Sequence, residues 1–424
     1  LGPLMGVPVA IKDIYAVDDM PTTNGSLYDA SEITGSEGRY VTALKQAGCI
    51  ILGKTKTVEF ALGATGVNEA RGTPWNPWDL STHRIPGGSS SGSGVATAAG
   101  MCGFAMGSDT GGSVRIPACL NGIFGHKTSV GLLPTDGVFP LSPTLDTLGP
   151  LTKNAADAAI LHAIMTGCDI PSAAPLKGMR LGKPTSFFFE EIDADVLSCV
   201  DAALASLVEA GVEIVDVDIP DPNERDWIFP AIAPPEFLAA IGEKEFRKAL
   251  PKMDPVTGVR AEKGLSITGV EHAAAVIRHH QLAALAEDAF DGLDGWVAPT
   301  CPFLPIPVDD LTDPKIAQKS VQAANTRIND AASTALEKGT ASSFQALQLG
   351  HFDGLHAQHA HVFRCENAKI CRGGHTKLFD HRVRVVLQFH LGQGVVQRLA
   401  VANPSALKTR RRRSNISCCA ARST

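Results

Sequence analysis

Pro86-Gly87-Gly88-Ser89-Ser90-Ser91-Gly92-Ser93-Gly94 opens, and Gly107-Ser108-Asp109-Thr110-Gly111-Gly112-Ser113-Val114-Arg115-Ile116-Pro117 closes, the stretch whose reading decides this chain. In full it runs PGGSSSGSGVATAAGMCGFAMGSDTGGSVRIP, residues 86–117. A Gly/Ser-rich loop leads into an apolar, helix-compatible run of small residues, and a second glycine pair then delivers Ser113. Paired glycines let a backbone take positive φ and approach a ligand with no Cβ in the way. In GSDTGGSVR that freedom can turn successive N–H groups of Thr110, Gly111, Gly112 and Ser113 inward as an anion-binding nest. A serine hydroxyl beside such donors supplies what acyl transfer needs, a nucleophile and a place for the developing oxyanion.

Three other readings are weaker. A phosphate-binding loop requires GxxxxGK[ST], and no lysine lies between Pro86 and Pro117. Gly88-Ser89-Ser90-Ser91-Gly92 does match the GxSxG elbow of α/β-hydrolases. That elbow must follow a buried strand, and Ser81-Thr82-His83-Arg84-Ile85-Pro86 is not one. A flexible linker is excluded by the apolar GVATAAGMCGFAMG, which carries the loop into a core. His83 invites a Ser–His pairing, but no carboxylate in a recognisable spacing supports it.

The stretch resembles, nearly position for position, the signature of the amidase signature family of serine hydrolases. The resemblance implies a Ser–Ser–Lys triad. Its nucleophile falls on Ser113, after the second glycine pair, and its bridging serine on Ser89, after the first. Its lysine lies in a G-[IV]-P-x-x-[VI]-K-D pattern, which Gly6-Val7-Pro8-Val9-Ala10-Ile11-Lys12-Asp13 supplies as Lys12. A lysine in an apolar pocket loses proton affinity through desolvation, leaving a neutral amine that can accept a proton. Asp109 and Arg115 flank the nucleophile and are expected to brace its turn by hydrogen bonds and ion pairing, with Ser90 as a further supporting residue. Asp13 reads as a turn-fixing carboxylate. Gly122–Thr128 is close to the family's G-[IVL]-x-G-x-K-P block, with Thr128 in place of proline, and Leu145–Leu151 resembles a block that packs near the site. The scheme needs no metal or organic cofactor. It implies a small-molecule amide as substrate and leaves a homodimer open.

Periodicity extends the picture. Val7–Ile11 and Cys49–Gly53 read as buried strands, with a helix over 37–48 between them. A helix capped by Asn154 follows, then strands over 179–182 and 212–217 flanking a helix from Ala194 to Ala210. Trp227, Phe229 and Phe237 are more readily core than pocket wall. A long helix covers 271–290, where the neighbouring His279 and His280 face apart and cannot form an i, i+4 metal pair. Trp296–Thr300 resembles a late family strand. The fold class is α/β: a mixed, mostly parallel sheet flanked by helices, incomplete at both ends.

The 424 residues carry a net charge of −6, 44% hydrophobic and 6% aromatic residues. Bulk charge therefore points to neither nucleic acid nor membrane. Ten cysteines without CxxC pairs and no visible signal peptide suit a reduced, cytoplasmic protein. Resemblance covers residues 1–326, which lack the family's preceding helices. Residues 327–424 change character: fifteen Lys/Arg against five Asp/Glu, seven of the thirteen histidines, and a final Arg410–Arg413 run. Neither the His356–His361 tract as a metal site nor the arginine run as a nucleic-acid patch is preferred. The tail reads as a frameshifted or fused frame, poorly ordered, leaving the late strand with an open edge.

The expected chemistry is amide hydrolysis through an acyl-enzyme. The alternatives are the glutaminase component of a tRNA-dependent amidotransferase, which usually carries glutamine where Ile116 stands, and an inactive truncated remnant.

Overall fold

The structure is a computed structural model that describes residues 2–170, 172–312, 347–348, 361–364 and 385–389. The Arg410–Arg413 run and the histidine tract up to residue 360 lie outside the described residues.

Strand β1 (Pro8–Lys12) forms from the apolar run, with proline at its first position, where no ladder donor is lost. Helices α1 (Ser31–Thr34) and α2 (Arg39–Gln46) follow, α2 burying Tyr40, Val41 and Leu44 on one face. Strand β2 (Ile50–Thr55) then returns parallel to β1, from Pro8 opposite Ile50 to Lys12 opposite Thr55. The sequence reading expects β2 to be buried, and it is not: Ile50 and Leu52 are each 54% exposed. The reason is its position at the edge of the sheet, where only β1 pairs with it.

The small-residue run also divides where a single helix is expected. Helix α3 (Ser91–Ala98) stops at Gly100, whose φ of 72° a side chain rarely tolerates. The chain then enters β3 (Phe104–Asp109), which is buried throughout. Helix α4 (Arg115–Leu120) leaves the end of β3 and is also buried throughout. A short β4 (Phe124–Gly125) and a fully buried β5 (Thr147–Thr152) complete the first sheet, in the order β2-β1-β3-β5-β4. β1 runs parallel to β2 and β3, while β5 runs antiparallel to β3 and β4. Helix α5 (Ala155–Thr166) begins at Asn154, whose side chain accepts the Asp157 N–H as the sequence implies.

Beyond β6 (Ser172–Ala174), strands β7 (Arg180–Pro184) and β8 (Glu213–Val217) flank helix α6 (Ala194–Glu209). Four helices come next: α7 (Arg225–Ile241), α8 (Glu243–Ala249), α9 (Pro255–Glu262) and α10 (Gly269–Asp288). A Thr268–Glu271 capping box starts α10. Strand β9 (Gly295–Pro299) is buried in full and pairs parallel with β7. The last described strands are β10 (Leu347–Gln348), β11 (His361–Arg364) and β12 (Val385–Phe389). β12 lies parallel to β9, from Val385 opposite Gly295 to Phe389 opposite Pro299, so the edge left open in the sequence reading is occupied. The second sheet is thus all parallel, in the order β12-β9-β7-β8.

The main core fills the space between the first sheet and α7–α9. Phe60, Phe139 and Phe237 meet there, with ring centroids 5.3 Å apart for Phe60–Phe139 and 5.5 Å for Phe60–Phe237. Phe237 is therefore core, whereas Trp227 is 45% exposed. His83 stacks on Trp75 at 4.3 Å between centroids, which gives it a packing role rather than a serine partner.

Candidate active site

Neighbouring parallel strands end on the same side of a sheet, which is where open α/β folds place their sites. β1 and β3 are such neighbours, with Ile11 opposite Met106. Lys12 at the end of β1 therefore lies beside the turn that follows β3, and the loop before α3 packs against both. Lys12 is wholly buried; its Nζ donates to Ser89 Oγ at 2.6 Å and to Ser108 Oγ at 2.9 Å. Burial pushes its pKa from 10.5 down to about 7, against the opposing pull of Asp146 and Asp109.

Ser89 is held from its backbone. The Gly88–Ser89 peptide is cis, and the Ser89 carbonyl accepts from Thr57 Oγ1 at 2.9 Å and from the Val58 N–H at 3.1 Å. Ser90 ties two loops together: its N–H donates to the Ser113 carbonyl at 3.2 Å and its hydroxyl to the Ser108 carbonyl at 3.3 Å. Ser113 is 7% exposed. Among the described residues no hydrogen bond joins Ser113 Oγ to Ser89 Oγ, so the lysine–serine contact is closed while Ser113 stands at the adjoining turn.

That turn is organised by Asp109. Its carboxylate takes both arms of the Arg115 guanidinium, Nε at 2.9 Å and Nη2 at 2.8 Å, and the Val114 N–H at 3.1 Å. Burial pushes the Asp109 carboxyl up, but the Arg115 guanidinium outweighs it and holds the group well below the usual range. The ion pair thus lies against the turn, with the N–H groups of Gly112, Val114 and Arg115 on the Asp109 carboxylate. Gly112, at φ of 105°, bends the chain so that its N–H points to Asp109 Oδ1 at 2.7 Å. Of the four N–H groups that the sequence reading turns inward, Gly112 is accordingly engaged elsewhere. Those of Gly111 and Ser113 take no acceptor among the described residues.

Three residues of the site escape the sequence reading. Ser108 shares the Lys12 ammonium with Ser89. Tyr15 donates its hydroxyl to the Gly107 carbonyl at 2.6 Å. Asp146, half-buried, accepts from the Thr110 hydroxyl, from the Leu141 N–H at 2.9 Å and from the Ser142 N–H at 3.0 Å. Burial raises its pKa to about 6. In the sequence Ser108 is visible only as the residue before Asp109, and Asp146 lies inside the Leu145–Leu151 block with nothing to mark it. A cavity of about 50 Å³ opens between Ser108, Asp146, Ile14, Phe139 and Leu141. Among the described residues no group of three His, Cys, Asp or Glu is arranged to hold a metal ion.

The family profile described as amidase matches residues 1–337. The chain is 38% identical over 317 residues to 2-amino-5-chloromuconic acid deaminase of Comamonas testosteroni, covering 73% of this chain and 68% of that one. It is 38% identical over 250 residues to a glutamyl-tRNA(Gln) amidotransferase subunit of Thioalkalivibrio sulfidiphilus, covering 55% of this chain and 51% of that one. The chain thus spans about half the length of such amidotransferase components. A crystal structure of an amidase superposes with a TM-score of 0.68 at 31% identity, covering 72% of this chain and 69% of that one. No described helix is long and apolar enough to cross a membrane.

Proposed function

The chain belongs to the amidase family, and from that premise we propose that it hydrolyses a carboxylic amide to the acid and ammonia or an amine, through an acyl-enzyme on Ser113. Neutral Lys12 accepts a proton from Ser89, which relays one from Ser113 as its oxygen attacks the carbonyl. The N–H groups of Gly111 and Ser113 receive the oxyanion, in a turn stiffened by Asp109 and Arg115. Ser89 returns the proton to the departing nitrogen, and water then releases the acid. The Lys12–Ser89 contact of 2.6 Å, made by a lysine whose pKa is pushed to about 7, carries this reading.

The test is a fluorophosphonate probe followed by mass spectrometry of the labelled peptide. Label on Ser113 supports the scheme; label on another serine, or none, overturns it. The deaminase relative makes 2-amino-5-chloromuconic acid a first substrate to try beside simple carboxamides. Similarity to amidotransferase components favours a second reading, a glutaminase that works within a tRNA-dependent complex. Ile116, wholly buried beside Ile85 and Leu120, stands against it, and glutamine hydrolysis dependent on a partner protein would establish it. The free thiols at Cys49, Cys102 and Cys119 suit a reducing cytoplasm.

A further inference from the structure

We infer that Asp146 is a positioning residue for this site, fixing the Thr110 end of the glycine turn and serving as the counter-charge to Lys12. The inference rests on the acyl-transfer reading of Ser113. Its geometry comes from three hydrogen bonds that use both carboxylate oxygens. Oδ1 takes the Thr110 hydroxyl, one residue before the Gly111–Gly112 pair, while Oδ2 takes the Leu141 and Ser142 N–H groups. Ser142 and Thr144 in turn donate to Glu236 on α7. Asp146 therefore joins the turn that carries Ser113 to a loop anchored on the helical layer. It also faces the same small cavity as Ser108, one of the two hydroxyls that receive the Lys12 ammonium.

The charge argument follows from that placement. An anion near a buried ammonium favours the protonated lysine, and Asp146 is the leading electrostatic influence that raises the Lys12 pKa against burial. Asp146 is itself pushed toward the neutral form by burial and drawn back by Lys12. Each group thus favours the ionised form of the other, against the burial that disfavours both charges. Other ionisable groups around them are Tyr15 after β1, Asp109 with Arg115 and Lys127, and Glu236 with His272 from α7 and α10. Asp109 is paired with Arg115, and Asp146 is the larger of the two anionic influences on Lys12.

The experiment measures the rate of Ser113 labelling by the fluorophosphonate probe across the neutral pH range, in wild type, Asp146→Asn and Thr110→Val. For Asp146→Asn the ascending limb should move to lower pH, because the anion that favours the ammonium is gone, and the plateau should fall by roughly tenfold through misplacement of the turn. For Thr110→Val the plateau should fall while the limb stays in place. Wild type that carries no label on Ser113 sinks the acyl-transfer reading, and this inference with it. Normal wild-type labelling with an unmoved limb in Asp146→Asn overturns this inference alone, whatever the plateau does. If Asp146→Asn does not fold, an unchanged plateau in Thr110→Val is the overturning result.

Discussion

Lys12 Nζ and Ser89 Oγ, 77 residues apart in the chain, meet at 2.6 Å where both side chains are fully withdrawn from water. A charged lysine is costly in such a place, and a neutral one is a base already in contact with a hydroxyl. The predictions about activity follow from that contact.

Activity should rise with pH through an apparent pKa of about 7, since the neutral amine is the competent form and burial has brought its titration down to that value. Lys12→Ala should lose the limb together with about 10²–10⁴-fold of the rate. A pH–rate profile on any hydrolysed amide, or on probe labelling, reads both. A variant with near-wild-type rate and limb would rule out Lys12 as the base.

Ser113→Ala should abolish both turnover and covalent adduct, whereas Ser89→Ala should keep a slow residual turnover, about 10²–10⁴-fold down. The difference arises because one hydroxyl forms the covalent bond and the other only moves protons. Intact-protein mass spectrometry separates the two variants, and an adduct surviving in Ser113→Ala would refute the assignment.

Arg115→Met should destabilise the fold by about 3–5 kcal/mol, because it strands the Asp109 carboxylate in the interior without its partner. Adding Asp109→Asn should recover part of the loss, so that the double variant costs less than the sum of the singles. Denaturant midpoints measure this directly. Strict additivity would mean that the pair does not act as a unit.

Glu59 links two distant segments: it accepts the Ser26 hydroxyl at 2.7 Å and the N–H of Asp254, the α9 cap, at 2.7 Å. Burial raises its pKa from 4.5 to about 7. A carboxyl with a raised folded-state pKa stabilises fully below its unfolded value, and that contribution is lost as pH climbs through the folded one. Stability should therefore decline between about pH 4.5 and 7 by roughly 1–3 kcal/mol from this group. Glu59→Gln should flatten the decline in thermal melts taken across that window, and an unaltered slope would show that Glu59 is not its source.

The pairing of β12 with β9 predicts slow amide exchange across Val385–Phe389 and a lower melting temperature for Leu387→Pro, which removes a donor and clashes within a strand. Fast exchange and an unchanged melt would instead favour the reading of residues 327–424 as sequence that takes no part in the fold.

Local chemistry made much of this protein legible in its sequence. Glycine pairs announce backbone turns, so the loop at Gly87-Gly88-Ser89 and the turn at Gly111-Gly112-Ser113 could be found without coordinates. Apolar runs and caps did the same for β1, α5 and α6, because burial and hydrogen-bond satisfaction act over a few neighbouring residues. The resemblance of the motifs then supplied the family. What sequence could not supply were relations set by strand order. Ile50 and Leu52 look like core until β2 is found at the sheet edge, where only β1 lies beside it. Gly112 looks like an inward donor until the Asp109 carboxylate is seen to hold its N–H. Asp146 carries no local mark at all; it meets Thr110 because β5 lies antiparallel to β3, with Asp109 opposite Thr147, which brings the end of the 141–146 loop against that residue. Side-chain identity and spacing fix what a residue can do, but only the packing of strands and helices determines which groups are withdrawn from water, and it is burial that brings the Lys12 ammonium down toward neutrality.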